Sequence, residues 1–131
     1  MIKQKNSVGI LVLCIATIIC IAFSFYAKDT VSNNSQIKNV EISVVNHKDV
    51  KTFEISTTGN TLLDAANEIN LVAGEEGAYG LYVKTVNGYT VNENEQEWWC
   101  ITKSSEAVFE GIENIKINDG DKYEITLKTG Y

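Results

Sequence analysis

Two alternating apolar runs, a short capped helix and three further strand-like runs, in that order, predict an α+β domain. A hairpin followed by one helix packed across a mixed or antiparallel sheet is a β-grasp-like arrangement. The chain has 131 residues, which suits one such domain. An N-terminal segment of membrane character precedes it.

The first run, residues 39–46, sets Val40, Ile42 and Val44 on one face and Glu41 and Ser43 on the other, as a half-buried strand does. His47-Lys48-Asp49 reads as a turn. Residues 51–57 alternate again, with Phe53 and Ile55 inward, so the two runs form a hairpin. Thr58-Gly59-Asn60 breaks the pattern. Thr61 can cap a helix, and Asp64 three residues on supplies the acid of a capping box. Leu62, Leu63, Ala66 and Ile69 then fall on one helical face, with Asn70 as the end. A helix of about ten residues is marginal alone and must be held by packing on the sheet.

Gly74, Gly77 and Gly80 mark a loop. Residues 81–86 form a strand that ends at the Asn87-Gly88 turn signal. After a polar loop at 92–96 comes the strand 97–103. It places Trp98 and Cys100 on one face and Trp99 and Ile101 on the other. Asp119-Gly120-Asp121 turns the chain into the last strand, 122–128, with Tyr123, Ile125 and Leu127 inward. No proline interrupts any element.

Ahead of the domain, Lys3 and Lys5 precede an uncharged stretch whose apolar part, residues 8–27, is 20 residues long. About 20 residues span a bilayer core. The positive charges on its N-terminal side place the rest of the chain outside the cell. The expected organisation is a transmembrane anchor or signal segment at 1–27, a flexible spacer at 28–37 and the folded domain at 38–131. The expected place is the cell membrane with the domain on the extracytoplasmic side. Cleavage at Ala22-Phe23-Ser24 would make the protein secreted. Lipidation at Cys14 or Cys20 is disfavoured by the bulky residues before each.

Beyond residue 27 there are nine lysines against 17 acidic residues, a net charge of −8. Such a domain repels nucleic acid. The lone histidine, His47, sits in a turn, no nucleophile-elbow pattern occurs, and Cys100 has no histidine near it in sequence. An enzyme is therefore not expected. Glu75-Glu76, Glu93-x-Glu95-x-Glu97 and Asp119-x-Asp121 are acidic clusters without calcium-loop or zinc spacing. A weak metal-binding role stays as an alternative.

Aromatic residues are the stronger lead. Tyr79, Tyr82, Tyr89, Trp98 and Trp99 crowd around two neighbouring strands. Adjacent tryptophans on a strand point to opposite faces, so one can fill the core while the other meets water, an edge or a ligand.

The same region carries a resemblance. Tyr79-Gly80-Leu81-Tyr82-Val83-Lys84-Thr85-Val86-Asn87-Gly88, then Glu97-Trp98-Trp99, Glu110-Gly111-Ile112 and Asp119-Gly120-Asp121, together with Thr61-Leu62-Leu63-Asp64-Ala65-Ala66, resemble the transcobalamin-like C-terminal domain. That resemblance implies a β-grasp of the soluble ligand-binding type, with ligand contacts on the strands 82–87 and 98–100. It implies cobalamin, or another corrinoid, as the leading bound ligand. The candidate ligand-binding residues are Tyr79, Tyr82, Thr85, Asn87, Trp98, Trp99 and Cys100. Unlike the animal vitamin B12 carriers, this chain has no helical barrel to supply a second wall. A partner surface protein or transporter is then needed, or the domain is a protein-interaction module in its own right.

Overall fold

The structure, a computed structural model, describes residues 35–131. The membrane segment expected at 1–27 lies outside the described residues. Among the described residues no helix is long and apolar enough to cross a membrane.

In chain order the elements are β1 (Lys38–Asn46), β2 (Asp49–Thr57), α1 (Leu62–Glu68), β3 (Val72–Gly77), β4 (Gly80–Val86), β5 (Tyr89–Thr90), a 3-10 turn (Glu93–Glu95), β6 (Glu97–Lys103), β7 (Glu106–Ala107) and β8 (Lys122–Thr129). They build a five-stranded sheet in the order β2-β1-β8-β6-β7 and a three-stranded sheet in the order β3-β4-β5. Among the described residues the architecture is α+β, with one α-helix and with both parallel and antiparallel pairs.

The alternation of β1 fixes the larger sheet. β1 and β2 pair as an antiparallel hairpin closed at Asn46 and Asp49. β8 returns parallel to β1, setting Ile42 beside Tyr123 and Val44 beside Ile125. β6 pairs antiparallel with the far side of β8 and sets Trp99 beside Leu127. Val40, Ile42, Val44, Ile55, Tyr123 and Ile125 make the buried face, and Leu62, Ala65 and Ala66 of α1 join the same core. Ile112, Ile115 and Ile117 fill the rest from the irregular segment before β8.

Both ends of α1 are fastened by the local chemistry that the sequence advertises. The Thr61 hydroxyl accepts from the Asp64 N–H at 3.2 Å, and the Asp64 carboxylate accepts from the N–H groups of Thr61 at 3.0 Å and Asn60 at 2.8 Å. Those backbone donors hold the Asp64 carboxyl below its ordinary range. At the other end Asn70 takes φ 50. The Leu71 N–H donates to the Ala66 carbonyl at 2.9 Å and the Asn70 N–H to the Asn67 carbonyl at 3.2 Å, a Schellman cap. The cap ends the helix earlier than its apolar period predicts. Ile69 becomes the C-cap residue, leaves helical geometry and is exposed.

The loop expected around Gly74 and Gly77 is instead the strand β3, paired with β4. Gly74 serves close pairing rather than chain reversal. A Cβ on Gly74 would collide with the Tyr82 carbonyl oxygen, beside a bulge at Ala73 and Gly74. β7 was also unanticipated. Its turn places Ser104 and Ser105 at φ 51 and 67, where Asn-Gly would signal a hairpin and Ser-Ser does not.

Candidate ligand-binding cleft

β6 pairs with β8 from Glu97 to Lys103, but on its other side β7 reaches only Thr102 and Lys103. β4 pairs with β3 from Gly80 to Val86, but on its other side β5 reaches only Thr85 and Val86. Each strand therefore has one open edge. A cleft of about 170 Å³ lies against both, lined by Leu81, Tyr82 and Val83 of β4, Trp98, Trp99, Cys100 and Ile101 of β6, and the segment 107–112. Side chains alternate between the two faces of a strand. Four consecutive β6 residues can line one cleft only because it runs along the strand's edge.

Four expected ligand residues meet here: Tyr82, Trp98, Trp99 and Cys100. Tyr82 is 46% exposed, and the Lys84 ammonium stands 5.7 Å from its ring centroid. Cys100 is a half-buried free thiol. The other three lie elsewhere. Tyr79 stands in the β3–β4 turn, 97% exposed. The Thr85 hydroxyl is paired with that of Thr90 at 2.8 Å. Asn87 occupies the β4–β5 turn at φ 47 and gives its backbone N–H to the Leu71 carbonyl at 2.8 Å.

The cleft also has members that the sequence reading passed over. Phe109 lines it while 95% exposed, and Val108 and Ala107 stand beside it. Residues 107–109 form an apolar run too short to show a period, so they carried no signal beyond their composition.

The two tryptophans differ in how they are held. Trp99 is 8% exposed and donates its indole N–H to the Lys84 carbonyl at 3.1 Å. Tyr89 packs edge-on against it, with centroids 6.2 Å apart at 86°. The Tyr89 hydroxyl donates to the Glu97 carboxylate at 3.1 Å, and the Asn92 N–H donates to the same group at 2.7 Å. Glu97 is only 2% exposed, and these donors are what make its burial tolerable. Burial, then the bond to Glu97, pushes the Tyr89 phenol up. Trp98 is half-buried and gives its indole N–H to the Gly130 carbonyl at 2.8 Å. Both indole donors are thus spent inside the domain.

The acidic clusters are committed in a similar way. Glu75 and Glu93 flank Lys84 at 3.2 and 2.9 Å and hold its ammonium pKa up. Asp119 accepts the Asn39 N–H at 2.7 Å. Asp121 accepts from the Lys103 ammonium at 2.9 Å, the Asn118 N–H at 2.9 Å and the Tyr123 hydroxyl at 3.1 Å. Among the described residues no three His, Cys, Asp or Glu side chains converge as a metal site would need.

A family described as a domain of unknown function, DUF4430, matches residues 59–129, more than half of the chain. No curated protein matches. Among solved structures, a "putative metal binding protein" from Ruminococcus gnavus ATCC 29149 is 38% identical with a TM-score of 0.70, over 72% of this chain and 99% of its own. Haptocorrin in complex with Cbi shares the fold at 17% identity with a TM-score of 0.64. That match covers 76% of this chain and 27% of haptocorrin, so this chain corresponds to about a quarter of that protein.

Proposed function

Because the chain belongs to the DUF4430 family and carries an aromatic cleft along two open strand edges, we propose that it is an extracytoplasmic, membrane-tethered binding domain. Its ligand is a small molecule, with a corrinoid the leading candidate. A second protein supplies the other wall of the site.

One observation carries this reading: Tyr82, Trp98 and Phe109 line one cleft. The fold shared with haptocorrin supports the choice of corrinoid. Size sets the terms of binding. Pockets that enclose drug-sized ligands run from about 300 to 1,000 Å³, and this cleft has about 170 Å³. It can grip one edge of a corrin while most of the macrocycle stays outside, which is why a partner wall belongs to the proposal. Binding rather than catalysis is proposed because the titratable groups of the lining, Tyr82, Cys100 and Glu110, include no histidine to activate the thiol.

Titration of residues 35–131 with cobinamide and cobalamin, followed by tryptophan fluorescence and the corrin spectrum, tests the reading. The expected result is weak saturable binding that Phe109→Ala removes. Silence in both signals up to high micromolar ligand would end unaided corrinoid binding. The tether is tested by the mass of the mature protein. Retention of residues 1–27 is expected, and loss of the segment through Ser24 would make the domain secreted.

A further inference from the structure

The β4 wall of the cleft lies between two fastenings, and each is a side chain bonded to the β4 backbone. At one end the Trp99 indole N–H donates to the Lys84 carbonyl at 3.1 Å. At the other the Leu81 N–H donates to the Glu113 carboxylate at 3.1 Å. Tyr82 and Val83, which line the cleft, fall between these ties. Glu113 itself follows the opposite wall, residues 107–112, in a turn closed by the Asn114 N–H on the Gly111 carbonyl at 2.8 Å. That turn is anchored to the start of α1. The Leu63 N–H donates to the Ile112 carbonyl at 3.3 Å, and the Leu62 N–H to the Ile115 carbonyl at 2.9 Å. Two glycines make room for the carboxylate. A Cβ on Gly80 would collide with Glu113 Oε1, and a Cβ on Gly111 would stand 2.8 Å from each carboxylate oxygen. The carboxylate is therefore packed between the backbones of both walls. Its Oε2 is buried without a hydrogen-bond partner, so its lost hydration is only partly offset. Of the two ties, the one at Leu81 is the weaker.

We propose that Glu113 is a positioning residue of the cleft: by holding the Leu81 N–H it sets the spacing between β4 and residues 107–112, and with it the affinity for the ligand. It acts through Leu81 and does not itself touch the ligand. The inference rests on the reading of the cleft as a binding site and adds the residue that fixes its width. Walls already held at the bound spacing lose less freedom when a ligand enters, which raises affinity without a new contact. Without the tie, Tyr82 and Val83 are fastened across the cleft at Lys84 and not at Leu81, so their spacing from residues 107–112 is no longer fixed. The glycines fit the same role. A methyl group at Gly111 meets the far end of a flexible side chain, so it displaces the carboxylate while the backbone around it stays in place.

The test uses residues 35–131, since the Ruminococcus gnavus crystal chain is matched over 99% of its length and is therefore essentially this domain alone. Glu113→Ala removes the acceptor, Gly111→Ala displaces it, and Glu113→Gln keeps an acceptor of the same reach. Hydrogen exchange of the Leu81 amide reads the tie, exchange of the Leu71 amide beneath α1 reads the rest of the fold, and cobinamide is the ligand probe. Glu113→Ala and Gly111→Ala should each speed Leu81 exchange and weaken cobinamide binding about ten-fold, the loss of one hydrogen bond to a charged group, with Leu71 exchange unaltered. Glu113→Gln should restore most of both. Gly111→Ala should add nothing once residue 113 is alanine, because the two changes act on one contact. Leu71 exchange that rises as much as Leu81 exchange overturns the proposal, and so does an unchanged affinity when Leu81 is freed; the carboxylate is then structural only. If the unmutated domain ignores cobinamide, the corrinoid reading falls, and acrylamide quenching of tryptophan judges the tie instead. Quenching that rises in Glu113→Ala and returns with Glu113→Gln upholds it. Quenching that is the same in all three proteins overturns it.

Discussion

The sheet is sealed where α1 crosses it and open where β4 faces β6. Under the helix, Leu62, Ala65 and Ala66 join Ile42 and Ile125 in a core from which water is excluded. At the cleft, residues of similar apolar character remain half-buried or exposed: Leu81, Val83, Trp98, Val108 and Phe109. The difference is coverage, not composition. A capped helix supplies the cover at one end, while β5 and β7 are each two residues long and leave their neighbours' edges bare. The first region should therefore carry stability and the second should carry binding.

The most direct way to break that comparison is to truncate one side chain in each region. Leu62→Ala should cost about 2–5 kcal/mol, the range for large-to-small changes in a sealed core, read from urea denaturation of residues 35–131. Phe109→Ala should cost no more than about 0.5 kcal/mol and should remove ligand binding. Equal costs at the two sites would mean that the cleft is core and not site.

The adjacent tryptophans sharpen the same contrast within one strand. Trp99 is buried, hydrogen-bonded to Lys84 and packed against Tyr89, so Trp99→Ala should cost about 3–5 kcal/mol. Trp98 is half-buried, and Trp98→Ala should cost roughly half as much, in proportion to the area it covers. Thermal melts of the two variants side by side check the order.

How much of this was legible in the sequence depended on whether a residue's signal was local. Thr61 and Asp64 announced the helix start because a capping box is complete within four residues, and Asn70 announced its end. The inward sets of β1 and β8 were legible because period 2 is fixed by the backbone. β3 was not legible, because Gly74 is needed for an approach by Tyr82, eight residues later in the chain. At the site, the alternation at Trp98 and Trp99 could be read, but not which of them is covered. That choice depends on Tyr89, Glu97 and Lys84 meeting in space. Phe109 was missed because nothing in a short apolar run says that it arrives beside an open edge.

A smaller effect separates the regions by pH. Asp64 fastens α1, and its carboxyl is held low by the N–H groups of Asn60 and Thr61. Asp121 fastens the turn before β8. Burial would raise its carboxyl, but the Asn118 N–H, Lys103 and Tyr123 outweigh it and hold it low. A carboxyl depressed in the folded state adds stability that is fully present above its unfolded pKa, about 3.9, and is lost as pH falls through its folded value. Acid should therefore loosen the helix-covered region. Asp64→Ala should cost about 1 kcal/mol at neutral pH, and its penalty should shrink as pH drops below about 4. A penalty independent of pH would assign the loss to something other than the carboxylate.

The smallest expected effect lies at the cleft itself and has the opposite sign. Ser104 and Ser105 both hold positive φ in the β6–β7 turn, where a residue with a Cβ pays roughly 1 kcal/mol or more. Asn and Gly take these conformations more readily and suit a two-residue hairpin of this twist. The double change Ser104→Asn with Ser105→Gly should raise stability by about 0.5–1 kcal/mol. Because β7 leads directly into Ala107 and Val108 of the cleft wall, a firmer turn should also reduce exchange of the Val108 amide, which is bonded to Ile101 at 2.8 Å. Hydrogen exchange at Val108, compared with the Leu71 amide beneath α1, would show whether the gain stays in the open region. If both amides slow equally, the two regions unfold as one unit, and the serines tune the whole domain.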